Sequence, residues 1–267
     1  MGVLNVTPDS FSDGGAFQDP AAAVRRAVQM ASDGADLIDV GGESTRPGSR
    51  GVSLTEELRR VIPVVERLAG AVRVPISIDT SKADVASRAL ASGASLVNDI
   101  TALQGDPRMA EVVARHKAAI ILMHMQGMPR TMQRHPRYRN VVSEVTAFLA
   151  RAAALAEEAG IERSRILVDP GLGFGKTTAH NLQLMRGLQE VVRLGLPVVV
   201  GPSRKSFIGK TLSVEVQDRL AGTLACVAWA QRCGVQVVRV HDVQAAVQLL
   251  RMLEAIDTAR DADAARG

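Results

Sequence analysis

An eightfold alternation of short apolar strands and amphipathic helices constrains this chain more than any other feature. The predicted strands span residues 2–6, 36–40, 75–79, 95–98, 119–123, 166–168, 197–200 and 236–240. Apolar residues recur at helical spacing in the first helix (Val24, Ala27, Val28, Ala31), the second (Leu58, Val61, Ile62, Val65) and the eighth (Val243, Ala246, Val247, Leu250). Eight such units in 267 residues predict an α/β fold, a single (β/α)8 TIM barrel.

The main alternative to a barrel is an open, doubly wound sheet. Such a sheet usually carries a phosphate loop after its first strand, and residues 7–15 do not fit the dinucleotide fingerprint. Residues 171–177, GLGFGKT, resemble the end of a nucleotide P-loop. That motif needs a glycine where Pro170 stands, so we reject a P-loop as well.

Composition excludes several classes of protein. Only 3% of the residues are aromatic, which predicts a core of aliphatic residues and methionine. Cys226 and Cys233 lie two helical turns apart, roughly 10 Å, too far to bridge, which indicates buried thiols in a reducing, cytoplasmic setting. There is no apolar run of membrane-spanning length and no signal pattern. The net charge of +4 lacks a long Lys/Arg run, which argues against nucleic acid. We expect residues 1–258 to form the catalytic domain and residues 259–267 a frayed tail.

Polar residues stand where the predicted strands end. In a barrel of this type, function resides at the carboxyl ends of the strands. Asp79, Asn98 and Asp169 end strands three, four and six and offer acceptors and an amide, which suits a flat heterocycle rich in hydrogen-bond donors. A single polar strand end is weak evidence, but several that converge on one mouth predict a ligand site.

A second group of residues at this mouth is cationic. Lys205, Arg239 and His241 come from strands seven and eight, and Arg46 and Arg204 join them on loops. Barrels often bind phosphate at strands seven and eight, and the period-two spacing of Arg239 and His241 predicts that both face one anion. Asn5, on the neighbouring first strand, is a candidate ligand for a Mg²⁺ ion bound to that anion.

These motifs resemble the dihydropteroate synthase family over essentially the whole chain. The matching segments are NVTPDSFSDGG (5–15), GGESTRPG (41–48), IDT (78–80), NDI (98–100), MHMQGMP (123–129), DPGLGF (169–174), SRKS (203–206) and RVHDV (239–243). The resemblance implies a transferase that joins 4-aminobenzoate to 6-hydroxymethyl-7,8-dihydropterin diphosphate. Members usually carry a short segment ahead of strand one, which here begins at the second residue, so we expect a less covered barrel floor.

The resemblance also implies roles for individual residues. The positions that match the pterin pocket are Asp79, Asn98, Asp169 and Lys205. Those that match the diphosphate and Mg²⁺ site are Asn5, Thr45, Arg46, Arg239 and His241, with Asn5 as the metal ligand. Those that match the aminobenzoate pocket are Phe11, Thr45, Pro47, Phe174, Lys205 and Ser206. Asp79, Lys205, Arg239 and His241 are the expected catalytic group.

Several further residues have supporting roles in this interpretation. In the family, the loop after strand one closes over the site and its Phe, here Phe11, packs on the aminobenzoate ring; the alternative is that Phe11 packs on a neighbouring helix. Asp99 is interpreted as the partner of Asn98, and Asp39 and Glu43 as partners of cations at the barrel mouth. His124 is expected to bond a backbone carbonyl. We expect a homodimer that uses apolar surface of the outer helices, supplied by Leu220, Leu224, Val227 and Trp229.

Two rival functions remain at this point. A methyltetrahydrofolate-dependent methyltransferase would bind a pterin but no diphosphate, and the cations of strands seven and eight argue against it. A non-catalytic pterin-binding protein would be expected to have lost a loop or an anion ligand, and none is missing from this sequence.

Overall fold

The computed structural model describes residues 1–7, 20–44, 49 and 51–259 of the chain. The strands are β1 (Gly2–Asn5), β2 (Ile38–Gly41), β3 (Ile76–Asp79), β4 (Leu96–Asp99), β5 (Ala119–Met123), β6 (Ile166–Asp169), β7 (Val199–Val200) and β8 (Val237–Val238). The helices are α1 (Pro20–Ser32), α2 (Leu54–Ala71), α3 (Ala83–Ala91), α4 (Met109–Arg115), α5 (Val141–Glu158), α6 (Thr178–Arg186), α7 (Leu188–Val192), α8 (Ser206–Leu212), α9 (Leu220–Arg232) and α10 (Val243–Thr258).

The strands form a closed parallel barrel, as the repeat predicts. Strands β1 to β6 pair in chain order, and β7 pairs with β8. Two isolated parallel bridges close the ring: Val168 with Val198 joins β6 to β7, and Gly2 with Val240 joins β1 to β8. Each predicted strand is present, although β7 and β8 retain only two residues of regular pairing each.

Two layers of apolar side chains hold the barrel together. One large cluster lies between the strands and the surrounding helices. A smaller cluster inside the barrel contains Met1, Leu96, Ile121 and Val199. Because its strands are covered on both sides, the barrel exposes little of their apolar surface.

The predicted face of helix α1 is confirmed only in part: Ala27 is buried and Val24 packs against the core, but Val28 is not covered. The structure buries Ala23, Ala27 and Met30, and leaves Val28 37% exposed. This series also has helical spacing, and the two alanines allow the helix backbone to lie close to its neighbours. The predicted faces of α2 and α10 are confirmed at Val61 and Val243, among other residues.

The surface of α9 corrects two of our expectations. Cys226 and Cys233 are free thiols, but they are half-buried against the core and not enclosed in it. Val227, which we placed on the outer apolar surface, is fully buried, whereas Trp229 is 49% exposed.

Within the described ranges, no helix combines the length and the apolar character that crossing a membrane requires. Of the predicted tail, only Ala259 lies among the described residues.

The covering helices provide a test of the core. Leu149 on α5 is completely buried, and Leu155 on the same helix is 58% exposed. We expect Leu149→Ala to lower the free energy of unfolding by about 2–5 kcal/mol, because it removes buried methyl groups and leaves a cavity. Leu155→Ala should change it by less than about 0.5 kcal/mol. Urea unfolding followed by circular dichroism measures both, and equal losses would contradict this account of the core.

Candidate active site

The carboxyl ends of the first four strands place polar groups in one layer at the barrel mouth. The pairing register sets Asn5 beside Gly41, Gly41 beside Asp79, and Asp79 beside Asn98. Because Gly41 has no side chain, Asn5 and Asp79 face one another across it: a Cβ at Gly41 would lie 3.8 Å from Asn5 Oδ1 and 3.6 Å from Asp79 Oδ2. The layer predicted from the strand ends is therefore present.

Arg239 crosses the mouth of the barrel to two carboxylates. Its Nε donates to Asp39 Oδ2 at 2.7 Å, and its Nη2 donates to Asp79 Oδ2 at 2.8 Å. Asn98 Nδ2 donates to the same Asp39 oxygen at 3.1 Å. The other oxygen of Asp39, Oδ1, is buried and has no hydrogen-bond partner among the described residues. Asp39 thus joins β2 to a cation of the barrel mouth, as we predicted.

Burial dominates the electrostatics of this cluster. It raises the pKa of Asp79 to about 7; the negative charge of Asp39 acts in the same direction, and Arg239 opposes it. Burial disfavours the charge of Arg239, but the carboxylates of Asp39 and Asp79 outweigh it and hold the pKa of Arg239 above its usual value. Asp79 is therefore harder to ionise than an ordinary carboxyl group.

Asp169 and Lys205 lie on the opposite side of the mouth. Asp169 is buried at the end of β6, and its Oδ1 accepts a hydrogen bond of 2.7 Å from the backbone of Gly171. Burial raises the pKa of Asp169. Lys205 precedes α8; its Nζ donates to the carbonyl of Leu172 and lies 4.7 Å from the centre of the Phe174 ring. Burial lowers the pKa of Lys205 to about 8, although Asp169 favours its charged form.

The predicted cations do not all lie free at the mouth. His241 Nδ1 is 2.9 Å from Ser203 Oγ, so the end of β7 orients the imidazole. Arg204, which we predicted to join the anion site, instead makes a two-pronged ion pair with Asp242 at 2.8 and 2.7 Å. That pair ties the loop after β7 to the start of α10.

One supporting role also differs from prediction, and a second includes a further contact. Asp99 does not contact Asn98; it accepts hydrogen bonds from the backbone of Thr101 and Leu103, because its side chain caps the loop after β4. His124 meets its own backbone, in keeping with the expected carbonyl partner, but its Nδ1 also lies 2.9 Å from the buried Lys176 Nζ, a contact that we did not predict. Glu43, as expected, pairs with a cation, which is Lys82.

A cavity of about 410 Å³ opens beside Asp79, between the loops that follow β3, β4 and β5. Acidic, hydroxyl and apolar side chains share its walls, including Glu43, Thr80, Ile100, Thr101, Met125 and Met128. A second groove has a volume of about 800 Å³. Ser206 lines it together with three basic residues, Arg134, Arg137 and Lys210. The sequence motifs did not indicate this basic groove, because its residues come from three separate segments.

The remaining predicted residues lie outside the described part of the chain: Phe11, Thr45, Arg46 and Pro47. Sequence reasoning missed Ser203 as the partner of His241, and it missed Lys176 altogether. The only sequence signal for Lys176 was its position after three closely spaced glycines, where it looked like the lysine of a P-loop.

Among the described residues, no group of three or more His, Cys, Asp or Glu side chains could hold a metal ion.

Comparison with known proteins agrees with this arrangement. The family described as pterin binding enzyme matches residues 1–241. The dihydropteroate synthase of Escherichia coli strain K12 is 48% identical over 98% of this chain and 92% of its own length. That of Synechocystis is 47% identical over 96% of this chain and 89% of its own length.

Solved structures extend the similarity to the fold. Dihydropteroate synthase of Xanthomonas albilineans, solved with 4-aminobenzoic acid, superposes with a TM-score of 0.92 at 46% identity, covering 97% of this chain and 93% of that one. The Yersinia pestis enzyme, solved with a sulfonamide drug complex, gives 0.92 at 47% identity, covering 97% and 94%. This chain therefore belongs to the dihydropteroate synthase family of pterin-binding enzymes, and it is a transferase that forms 7,8-dihydropteroate.

Proposed function

We propose that the mouth of this barrel joins 4-aminobenzoate to 6-hydroxymethyl-7,8-dihydropterin diphosphate and releases diphosphate, as a step of folate biosynthesis. The observation that carries the proposal is the meeting of acceptors and cations at one mouth: Asp79, Asn98 and Asp169 on one set of strands, Lys205 and Arg239 on another. A Xanthomonas albilineans relative solved with 7,8-dihydropteroate supports it. Diphosphate release that requires both substrates together is the direct test.

The pterin ring is assigned to the layer formed by the strand ends. Its 2-amino and N3–H groups are neighbouring donors, and the carboxylate of Asp169 can accept from both. Asp169 is buried, so those hydrogen bonds form with little competition from water. Asn98, held by Asp39, presents its amide to the ring in a fixed orientation.

Diphosphate departs from the pterin methylene and leaves an electron-poor centre that the ring nitrogens share. Asp79, when ionised, stabilises that positive charge, and the neutral amine of aminobenzoate then attacks the methylene carbon and releases one proton to the departing diphosphate or to water. Arg239 and His241 neutralise the charge that develops on diphosphate. No protein nucleophile takes part, because the amine attacks the pterin directly.

Mg²⁺ is the expected cofactor, and the donor set fits it. Mg²⁺ commonly keeps several waters and binds substrate phosphates together with one or two protein oxygens. Asn5 supplies one such amide oxygen at the end of β1, on the same layer as Asp79. When bound, the ion supplies positive charge to the diphosphate leaving group.

Aminobenzoate is assigned to the side of the mouth where α8 begins. Phe174, Lys205 and Ser206 form the described wall of this pocket, and Phe174 already lies against the Lys205 ammonium. Phe11, Thr45 and Pro47 are proposed as its other wall on the strength of the motif match alone. The amine must point toward the pterin methylene, which leaves the carboxylate toward Ser206.

The assembly is proposed to be a cytoplasmic homodimer. Helices α9 and α10 carry exposed apolar side chains that a second copy would cover, among them Trp229, Met252 and Ile256. Val227 is excluded from that surface because it is buried in the core.

Asp169→Asn tests the pterin assignment. The amide can still accept from Gly171, but it replaces a charged acceptor and turns a donor toward the donors of the pterin. We expect binding of 6-hydroxymethyl-7,8-dihydropterin to weaken by about 2–3 kcal/mol in calorimetric titration. Asp99→Asn, the same change at a strand end that faces Thr101, should leave the affinity near that of the parent. Unchanged affinity in Asp169→Asn would remove this residue from the pocket.

The pKa values of Asp79 and Lys205 predict a bell-shaped dependence of kcat/KM on pH. Asp79 acts as a carboxylate, so the rate constant should rise with pH up to about 7. Lys205 acts as an ammonium, so kcat/KM should fall above a pH of about 8. Lys205→Arg keeps its charge to higher pH and should remove the alkaline fall; a fall that persists in this variant belongs to another group.

The order of binding is the third prediction for this site. Aminobenzoate has few atoms, so a pocket that lacks one of its walls should hold it poorly. We expect a sulfonamide to bind detectably only when Mg²⁺, diphosphate and a pterin are present, and Phe11→Leu to weaken that binding. Parallel calorimetric titrations with and without these ligands measure it. Equal affinity in both would mean that the pocket exists in the free protein.

A further inference from the structure

Lys176 is a buried lysine whose described hydrogen-bond partners are all uncharged. Its side chain is 2% exposed. The Nζ atom lies 2.9 Å from the carbonyl oxygen of Gly171, 3.0 Å from that of Phe174, 3.3 Å from that of His124 and 2.9 Å from His124 Nδ1. Burying an ammonium is unfavourable unless hydrogen bonds compensate for the lost water, so this arrangement requires a specific reason.

Those partners tie together the ends of two strands and one loop. His124 is the first residue after β5, and Gly171 and Phe174 belong to the loop that follows β6. Gly171, Gly173 and Gly175 of this loop have φ angles of +66°, +81° and +62°, a region that residues with side chains rarely adopt. The glycines provide no side chains to pack the loop in place, and Lys176 Nζ donates to its carbonyls instead. Gln133 and Tyr138 donate to two further carbonyls of the loop, those of Gly173 and Gly175.

The protonation states of Lys176 and His124 keep the first a donor and the second an acceptor. Burial lowers the pKa of Lys176 to about 7, although the charge of Asp169 opposes that shift, and the Nζ atom carries hydrogens to donate in either form. Burial, helped by the charge of Lys176, lowers the pKa of His124 to about 3, so the imidazole is neutral and its Nδ1 can accept. The ring is fixed by an edge-to-face contact with Phe148 at 4.8 Å between centres. Lys176 is therefore the donor and His124 the acceptor of a hydrogen bond inside the barrel wall.

The other side of the same loop faces the active site. The carbonyl of Leu172 accepts from Lys205, and the ring of Phe174 lies 4.7 Å from the Lys205 ammonium. A Cβ at Gly173 would approach Lys205 Cδ to 3.1 Å. A change in the course of this loop would therefore displace both Phe174 and Lys205.

We propose that Lys176, with His124 as its acceptor, is the positioning residue for the aminobenzoate half of the site. It holds the loop of residues 170–175 on the side that faces away from the active site. Phe174 and Lys205 therefore keep fixed positions when they contact the second substrate. On the pterin side, Arg239 holds Asp39 and Asp79, and Asn98 donates to Asp39, so these three residues do not depend on Lys176. Of the pterin residues on strand ends, Asp169 alone is bonded to the loop, through the backbone N–H of Gly171. This inference rests on the proposed function, because it assigns Phe174 and Lys205 to aminobenzoate.

The test compares the two substrates in Lys176→Met, which keeps the length of the side chain and removes its hydrogen bonds. We expect the KM for 4-aminobenzoate, at saturating pterin diphosphate, to rise at least about tenfold, because misplaced binding groups are costly at this scale. The Kd of 6-hydroxymethyl-7,8-dihydropterin should rise by a smaller factor, because the loop reaches the pterin half of the site only through Asp169 and Lys205. His124→Phe removes one acceptor and keeps the ring, so it should raise the same KM by a smaller factor.

Leu149→Ala is the control, because it destabilises the barrel at a buried residue of α5 that lies outside this loop. If Lys176 only stabilises the fold, Lys176→Met and Leu149→Ala will have the same kinetic constants. That result, or an equal effect of Lys176→Met on both substrates, would overturn the proposal, and His124→Phe decides it if Lys176→Met does not fold. A parent enzyme that releases no diphosphate would refute the proposed function; titration of 4-aminobenzoate into parent and variants would still decide the role of Lys176.

Discussion

The guanidinium of Arg239, held between the carboxylates of Asp39 and Asp79, is the interaction on which the rest of the site depends. Each of these charges would be costly to bury alone, and the three are tolerated because each is paired. Asn98 is oriented through Asp39, so the amide that meets the pterin also depends on Arg239. Removing the arginine would leave two buried carboxylates opposed to one another, and the layer at the strand ends would lose its order.

The site is built in two different ways. Its pterin half consists of side chains on strand ends, which the pairing register of the barrel fixes relative to one another. Its aminobenzoate half consists of loops, and the described one depends on glycines and a buried ammonium for its shape. This division matches the chemistry. The pterin must be held in a fixed position, because charge develops on it, whereas the second substrate must be able to enter and the product to leave.

The sequence predicted the parts of the structure that repeat along the chain. The barrel and the carboxylates at its mouth follow from strand periodicity and polar strand ends, and β5 was predicted to the residue. The face of α1 was predicted only in part, at Val24 and Ala27, because two overlapping sets of residues share helical spacing and only the contacts of the folded barrel choose between them.

Ion pairs were harder to predict than strands. Arg204 and Arg239 look alike in sequence, yet one binds Asp242 at the surface of the mouth and the other binds carboxylates inside it. Asp99 and Asn98 are neighbours in sequence but point to opposite sides of their strand, because side chains alternate along it. Lys176 and His124 are 52 residues apart, and no local sequence pattern predicts their contact.

The position of Arg239 in the eighth strand–helix unit has a consequence for synthesis on the ribosome. Its two carboxylates lie 200 and 160 residues earlier, and the first strand is separated by a still longer stretch of chain from Val240, with which it pairs to close the barrel. A nascent chain therefore emerges with an open sheet edge and with acidic side chains inside the barrel that have no counter-charge. Both defects are removed by the same few residues, Arg239 and Val240. Translation of the eighth unit thus closes the barrel and completes the catalytic charges in one event, and a polypeptide that stops before it is left with neither.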